Sequence, residues 1–208
     1  MKKIDLGSIE LDIHECSIGV SVSGGADSSI LLYLLMKHAT VPIHAISCSN
    51  QAKRNLNPRH AFNVIEKCIE LTGNNNVKHH TYFVEVKNRS TYLAGLMEFI
   101  DNKTVEMMYT GFTSNPPIEV TDKFVLPLPN ETGPRRDPTQ LRPVYSYPTV
   151  YTPFTNLDKQ DIYEIYKREG VLESLYPLTY SCEDPSKNPE HCGQCWWCEE
   201  RKWGFGYL

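Results

Sequence analysis

Two groups of residues carry types and spacings that could do chemistry. The first is Ser23-Gly24-Gly25-Ala26-Asp27-Ser28-Ser29. Ile18, Val20 and Val22 alternate before it as a strand does, and the apolar run Ile30-Leu31-Leu32-Tyr33-Leu34-Leu35-Met36 after it suits a buried helix. Strand, glycine turn and helix in that order aim backbone N–H groups, three serine hydroxyls and the positive end of a helix dipole at one point, which suits a phosphate or pyrophosphate. The plainer alternative is a glycine-rich turn with Ser28 as a helix cap. The stretch has neither the Lys-Ser/Thr ending of a Walker A loop nor the Gly-x-Gly-x-x-Gly of a dinucleotide site.

The second group lies near the carboxyl end. Cys182, Cys192, Cys195 and Cys198 are four of the seven cysteines, and the last three are separated by two residues each. That spacing wraps one zinc ion, with Cys182 closing a tetrahedron across a loop and Gly193 easing the turn between ligands. Four thiolates leave no open coordination position, so the expected role is structural. A disulfide pair and an iron-sulfur cluster use the same residues and are the rivals. Cys16, Cys48 and Cys68 sit in apolar context and read as core thiols, with Cys48 also near a strand exit where a nucleophile could act. His191 is expected to face solvent, and the other histidines show no ligand spacing.

Composition bounds what these groups can belong to. The chain has 208 residues, is 40% hydrophobic and 22% charged, and carries a net charge of -4 with a pI near 6.0. One soluble domain with a small appendage is expected. The acidic balance argues against a nonspecific nucleic-acid partner and for a small-molecule one. The two N-terminal lysines are not followed by an apolar run, and no segment is long enough to span a bilayer, so a cytoplasmic, reducing location with no membrane partner is expected.

Elements that would position both groups follow from periodicity. Strands are expected at Ile18–Val22, Val41–Cys48, His79–Val86 and Val105–Tyr109. Helices are expected after Ser29, from Pro58 to Gly73, and from Ser90 to Asp101. This alternation gives an α/β fold, a parallel sheet with helices on both faces, Rossmann-like in outline, with a small C-terminal zinc-binding appendage. The expected division is residues 1–175 for the main α/β domain and 176–208 for the four-cysteine segment. Ligands gather outside the carboxyl ends of parallel strands, which makes 49–53 and 110–113 crevice candidates, Ser49 and Gly111 among them. The stretch 124–147 is too rich in proline for regular structure; its Arg135, Arg136 and Arg142 suit either a substrate anion or a solvated or dimer-contacting loop. A last helix is expected to start at Asn156 or Asp158 and to stop at Gly170.

Ser-Gly-Gly-Ala-Asp-Ser-Ser resembles the pyrophosphate loop (PP-loop) of the N-type ATP pyrophosphatase superfamily, whose fold is adenine nucleotide alpha hydrolase-like. The resemblance implies ATP held by Val22, Ser23, Gly24, Gly25, Ala26, Asp27, Ser28, Ser29, Ser49 and Gly111. It also implies Asp27 as a ligand of a bridging Mg2+, whose hard charge suits oxygen donors. Pro153-Phe154-Thr155-Asn156-Leu157-Asp158-Lys159 is similar to a Pro-Leu-x-x-Leu-x-Lys segment of that superfamily, and implies a role for Lys159 in neutralising departing pyrophosphate; a solvated lysine is the plainer alternative.

Thr179-Tyr180-Ser181-Cys182 and Cys192-Gly193-Gln194-Cys195-Trp196-Trp197-Cys198-Glu199-Glu200-Arg201, taken with that loop, resemble the 7-cyano-7-deazaguanine synthase (QueC-like) family. The resemblance implies an ATP-dependent carbon-nitrogen ligase that adenylates 7-carboxy-7-deazaguanine and uses ammonia to make the amide and then the nitrile of queuosine biosynthesis, preQ0. Ser23, Asp27, Ser28 and Lys159 are the implied catalytic residues, and ATP, Mg2+ and Zn2+ the implied cofactors. Gly111-Phe112-Thr113-Ser114-Asn115-Pro116-Pro117 departs from the family's Tyr-Pro-Asp-Cys-Arg, and Asn50-Gln51-Ala52-Lys53-Arg54 from its Gly-Gln-Arg. A ligase acting on another carboxylate or attaching a deazapurine to a macromolecule, a tRNA-thiolation enzyme, and a nucleotide-binding partner without turnover therefore stay open.

Overall fold

A computed structural model describes residues 1–50, 56–84, 89–124, 145–182 and 190–208. The chain opens with an antiparallel hairpin, β1 (Lys2–Asp5) and β2 (Glu10–Ile13), absent from the sequence expectation because each strand is only 4 residues long. The main sheet then follows the expected alternation. Its strands are β3 (Ile18–Ser21), β4 (Ile43–Asn50), β5 (Val77–Val84), β6 (Met107–Thr110), β7 (Tyr145–Tyr147) and β8 (Val150–Tyr151), in the spatial order β5-β4-β3-β6-β8-β7. The first five in that order run parallel, and β7 adds an antiparallel edge.

Helices α1 (Ala26–His38), α2 (Asn57–Thr72) and α3 (Arg89–Asp101) connect the parallel strands, followed by a one-turn α4 (Ile118–Thr121). Then come α5 (Lys159–Arg168), α6 (Leu172–Leu175) and α7 (Trp196–Phe205). Side chains alternate across a strand. Ile18, Val20 and Val22 join the core formed with α1, α2 and α5. On the other face Ile46 and Met108, with Val150, join Leu96 of α3. Helices therefore cover both faces, and a parallel sheet needs that to bury its apolar strands.

Helix α1 is buried from Ala26 through Met36 save Asp27, which explains why its sequence is apolar all round rather than striped. The expected Asp158 cap is present: its carboxylate accepts from Gln160 N at 2.8 Å and Asp161 N at 3.2 Å, and the Asp161 carboxylate accepts in return from Asp158 N at 3.0 Å. Gly170 follows the helix end with φ +71°. The proline-rich expectation for 124–147, with its three arginines, falls almost wholly on residues outside those described, as does Lys53. Among the described residues no helix is long and apolar enough to cross a membrane.

Candidate active site

The loop between β3 and α1 lies at the carboxyl end of the central strand, between the exits of β4 and β6. Gly24 has φ +81°, and a Cβ there would lie 2.4 Å from the His60 Cβ, so both conformation and space require glycine. The serines fold inward: the Ser28 and Ser29 hydroxyls donate to the Gly25 carbonyl at 3.1 and 2.8 Å, and Ser23 N donates to Ser28 Oγ at 3.3 Å. Gly111 leaves β6 so close to the head of α1 that a Cβ would meet Ser28 N at 2.9 Å. Gly111 thus borders the loop as expected, by packing on its backbone. Ser49 is buried near the end of β4.

Lys159 is not a solvated lysine of a first helical turn; it is 6% exposed. Its ammonium donates to Asp27 Oδ2 and, at 3.1 Å, to Thr113 Oγ1. Two anchors bring these residues together: the Asp158 cap fixes the start of α5, and Ser114 N donates to the Leu157 carbonyl at 2.7 Å. Asp27 Oδ1 is buried and has no hydrogen-bond partner. A buried carboxylate oxygen without a partner beside this loop fits a hard cation such as Mg2+.

The four cysteines converge. Their sulfurs all lie within 4.8 Å of one another, with Cys192 to Cys198 at 3.8 Å and Cys182 to Cys195 at 3.9 Å. One ion bound at about 2.3 Å from four sulfurs spaces them by about 3.8 Å, so the set fits a single tetrahedral metal. The Cys198 thiol, hydrogen-bonded to Cys195, pulls the latter down to about 5 and is itself pushed up in return.

The knuckle is docked on the loop rather than hung from it. Tyr180 N donates to the Gly24 carbonyl at 2.8 Å, and the Tyr180 ring stacks on His60 at 4.4 Å between centroids. His191 is half-buried against Tyr180, contrary to the exposed position expected of it, and accepts from Ser181 N at 3.4 Å. Burial, then the charge of Arg201, holds its pKa down to about 4. Arg201 of α7 is 2% exposed and donates to Thr179 Oγ1 at 2.7 Å and the Tyr176 carbonyl at 3.2 Å. Cys48 and Cys68 are buried as expected and Cys16 partly so; burial raises Cys68 to about 12.

Thr113 fell within the expected 110–113 crevice stretch, whereas Tyr180, His60 and Glu200 were given no individual role by sequence. Tyr180 and Glu200 sit inside the cysteine motif, whose thiols drew the attention, whereas His60 gives no local sign.

A parallel α/β sheet with this loop at its central strand exit offers a site suited to a phosphate-type anion. Residues 144–208 match the family model described as Queuosine biosynthesis protein QueC, so the carboxyl-terminal part of the chain is QueC-like. Over 58 residues the chain is 45% identical to the 7-cyano-7-deazaguanine synthase of Myxococcus xanthus, covering 27% of this chain and 24% of that one. Over 57 residues it is 42% identical to the 7-cyano-7-deazaguanine synthase of Syntrophus aciditrophicus, covering 27% and 23%. The match thus spans about a quarter of the length of those curated relatives.

Among solved structures, an NMN synthetase from Francisella tularensis aligns with TM-score 0.46 and 14% identity over 93% of this chain and 78% of that one. An NH3-dependent NAD synthetase from Campylobacter jejuni aligns with TM-score 0.44 and 14% identity over 77% and 67%. The tRNA thiolase NcsA from Methanococcus maripaludis, with its 4Fe-4S cluster, gives 0.44 and 12% over 94% and 72%. At these scores they add nothing to the fold already described.

Proposed function

We propose that the protein activates a carboxylate with ATP for carbon-nitrogen bond formation, with 7-carboxy-7-deazaguanine as substrate and ammonia as nucleophile. The observation that carries this reading is the meeting of Asp27, Thr113 and Lys159 at the head of α1, in a chain whose tail is QueC-like. In this reading the substrate carboxylate attacks the α phosphorus and pyrophosphate leaves. Ammonia then displaces AMP to give the amide. A second ATP activates the amide oxygen, and loss of AMP and a proton gives the nitrile.

The chain's own residues supply binding and charge. The first-turn N–H groups of Ala26, Asp27 and Ser28 would face the phosphates, with Ser23 and Ser28 hydroxyls beside them and Val22, Gly24, Gly25 and Ser29 shaping the loop. Lys159 turns from Asp27 to the departing pyrophosphate, where a preorganised cation acts on charge that develops only in the transition state. Asp27 would hold Mg2+, which when bound would neutralise charge on the phosphates. Ser49 and Gly111 flank the nucleotide.

For the tail, zinc is the proposed metal and its role structural; sulfurs within 4.8 Å of one another support one ion rather than a cluster, which would spread them over several. Residues 1–175 and 176–208 are the proposed units, and a reducing cytoplasm suits the thiols. A second reading keeps the reaction class and changes the carboxylate, because Gly111 to Pro117 departs from the family's segment where substrate would be read.

Incubation with ATP, ammonium and 7-carboxy-7-deazaguanine, followed by mass spectrometry, tests the reading. Substrate-dependent AMP and pyrophosphate with amide or nitrile product supports it. ADP as sole nucleotide product, or no AMP with any carboxylate offered, defeats it.

A further inference from the structure

Glu200 lies on α7 and is 0% exposed, yet it is acidic. Its Oε2 is 3.7 Å from the Lys159 ammonium, on α5. The same ammonium contacts Asp27 of α1 and Thr113 after β6, so the cation stands between two carboxylates from different helices. The backbone holds this arrangement as closely as the charges do. A Cβ on Gly204, one turn along α7, would lie 2.2 Å from the Lys159 Cβ and 2.9 Å from its carbonyl carbon. Cys198, two residues before Glu200, is one of the four clustered thiols, so α7 runs from the metal knuckle directly onto Lys159.

We propose that Glu200 is a positioning residue for Lys159, holding the ammonium at the mouth of the loop when Asp27 is taken up by a divalent cation. The physical reason is competition. A cation at Asp27 Oδ1 draws on the same single negative charge that Oδ2 offers to Lys159. With Asp27 as its sole carboxylate, Lys159 would be held less firmly once the cation binds. A second, fully buried carboxylate behind it offsets that loss: a buried charge is costly to strand, and Glu200 keeps a partner for Lys159 in both states. The tail thereby sets the geometry of the phosphate site through one side chain, beyond the docking of Tyr180. The kinetic half of this inference rests on the carboxylate-activation reading.

The test uses the full-length, metal-loaded protein and four variants: Glu200→Gln, Glu200→Asp, Lys159→Met and the double Lys159→Met/Glu200→Gln. Misplacing Lys159 should lower kcat for AMP release about 10- to 100-fold in Glu200→Gln while KM for ATP changes by less than about threefold. Metal content should stay at the wild-type value, Glu200→Asp should recover part of the rate, and the double variant should be no slower than Lys159→Met alone. A wild-type kcat in Glu200→Gln, or losses that multiply in the double variant, overturns the proposal. Should Glu200→Gln not fold, Glu200→Asp decides by the same kcat criterion, with its rate expected to be reduced but not abolished. A second readout needs no turnover. The Lys159 ammonium should give a slowly exchanging 15N signal, assigned by its loss in Lys159→Met, and that signal should disappear or shift in Glu200→Gln. An unchanged signal overturns the positioning role. A wild-type protein that releases no AMP while the signal still responds defeats the ligase reading and leaves the role of Glu200 standing.

Discussion

The backbone N–H of Tyr180 donates to the carbonyl of Gly24 at 2.8 Å, main chain to main chain across 156 positions of sequence. One partner belongs to the cysteine-bearing tail and the other to the phosphate-type loop. The four-cysteine knuckle is therefore part of the wall that shapes the loop.

Removal of the metal should disturb nucleotide binding as well as the tail. Four-thiolate sites supply on the order of 10 kcal/mol toward ordering their surroundings. Cys192→Ser, or treatment with a strong chelator, should lower the thermal midpoint sharply and weaken ATP binding in the same step. Elemental analysis should find one colourless ion per wild-type chain, and a brown protein containing iron would reject zinc.

Asp27→Asn should reduce AMP release by about 100-fold or more, because a neutral amide is a poor ligand for Mg2+ and a poor counterion for Lys159. Its stability cost should stay below the roughly 3–5 kcal/mol of breaking a buried pair outright, since Glu200 remains beside the ammonium. Magnesium titration of activity and urea unfolding measure the two effects separately.

Gly24 and Gly73 offer a controlled comparison. Both have positive φ, +81° and +69°, but a Cβ at Gly73 meets nothing within 4 Å whereas at Gly24 it meets His60 at 2.4 Å. Gly73→Ala should cost only the left-handed backbone penalty, about 1 kcal/mol. Gly24→Ala should cost more than about 2 kcal/mol in chemical denaturation and also impair nucleotide binding, because relief requires moving either the loop or α2.

Acid should destabilise the fold through its histidines. His14, His38, His44, His60, His79, His80 and His191 are all held below the ordinary 6.5, each first by burial. A depressed histidine binds fewer protons folded than unfolded, so stability rises with pH across the interval between the two values. The thermal midpoint should therefore be flat above pH 6.5 and fall below it, and His60→Gln should reduce that slope; a midpoint that rises on acidification would contradict the assignment.

Much of this was legible before any coordinates. The alternation of Ile18, Val20 and Val22 marks a strand with one face in the main core, and that is where those residues lie. Asp158 and Gly170 bracket α5 by local chemistry alone. Cysteine spacing foretells that the thiols converge, because three of them sit within one turn and the helix start that follows it. Less visible were the short hairpin β1–β2 and the short strands β7 and β8, whose place in the sheet depends on distant β6. Helix α7 was hidden because its apolar positions face α5 and the knuckle rather than forming a stripe. His191 gave no sign of its burial because Tyr180, which covers it, reaches it only after the tail folds back.

What the sequence determined by itself are features set by near neighbours: the strand-turn-helix carrying the phosphate-type loop, the capped start of α5, and the thiol spacing. The tertiary structure alone decided that Lys159 is buried between Asp27 and Glu200, and that Tyr180 seals the knuckle onto Gly24. Those contacts join residues far apart in the chain, and periodicity carries no information at that range. They exist because a parallel sheet delivers separate strand exits to one edge and packs the closing helices across them.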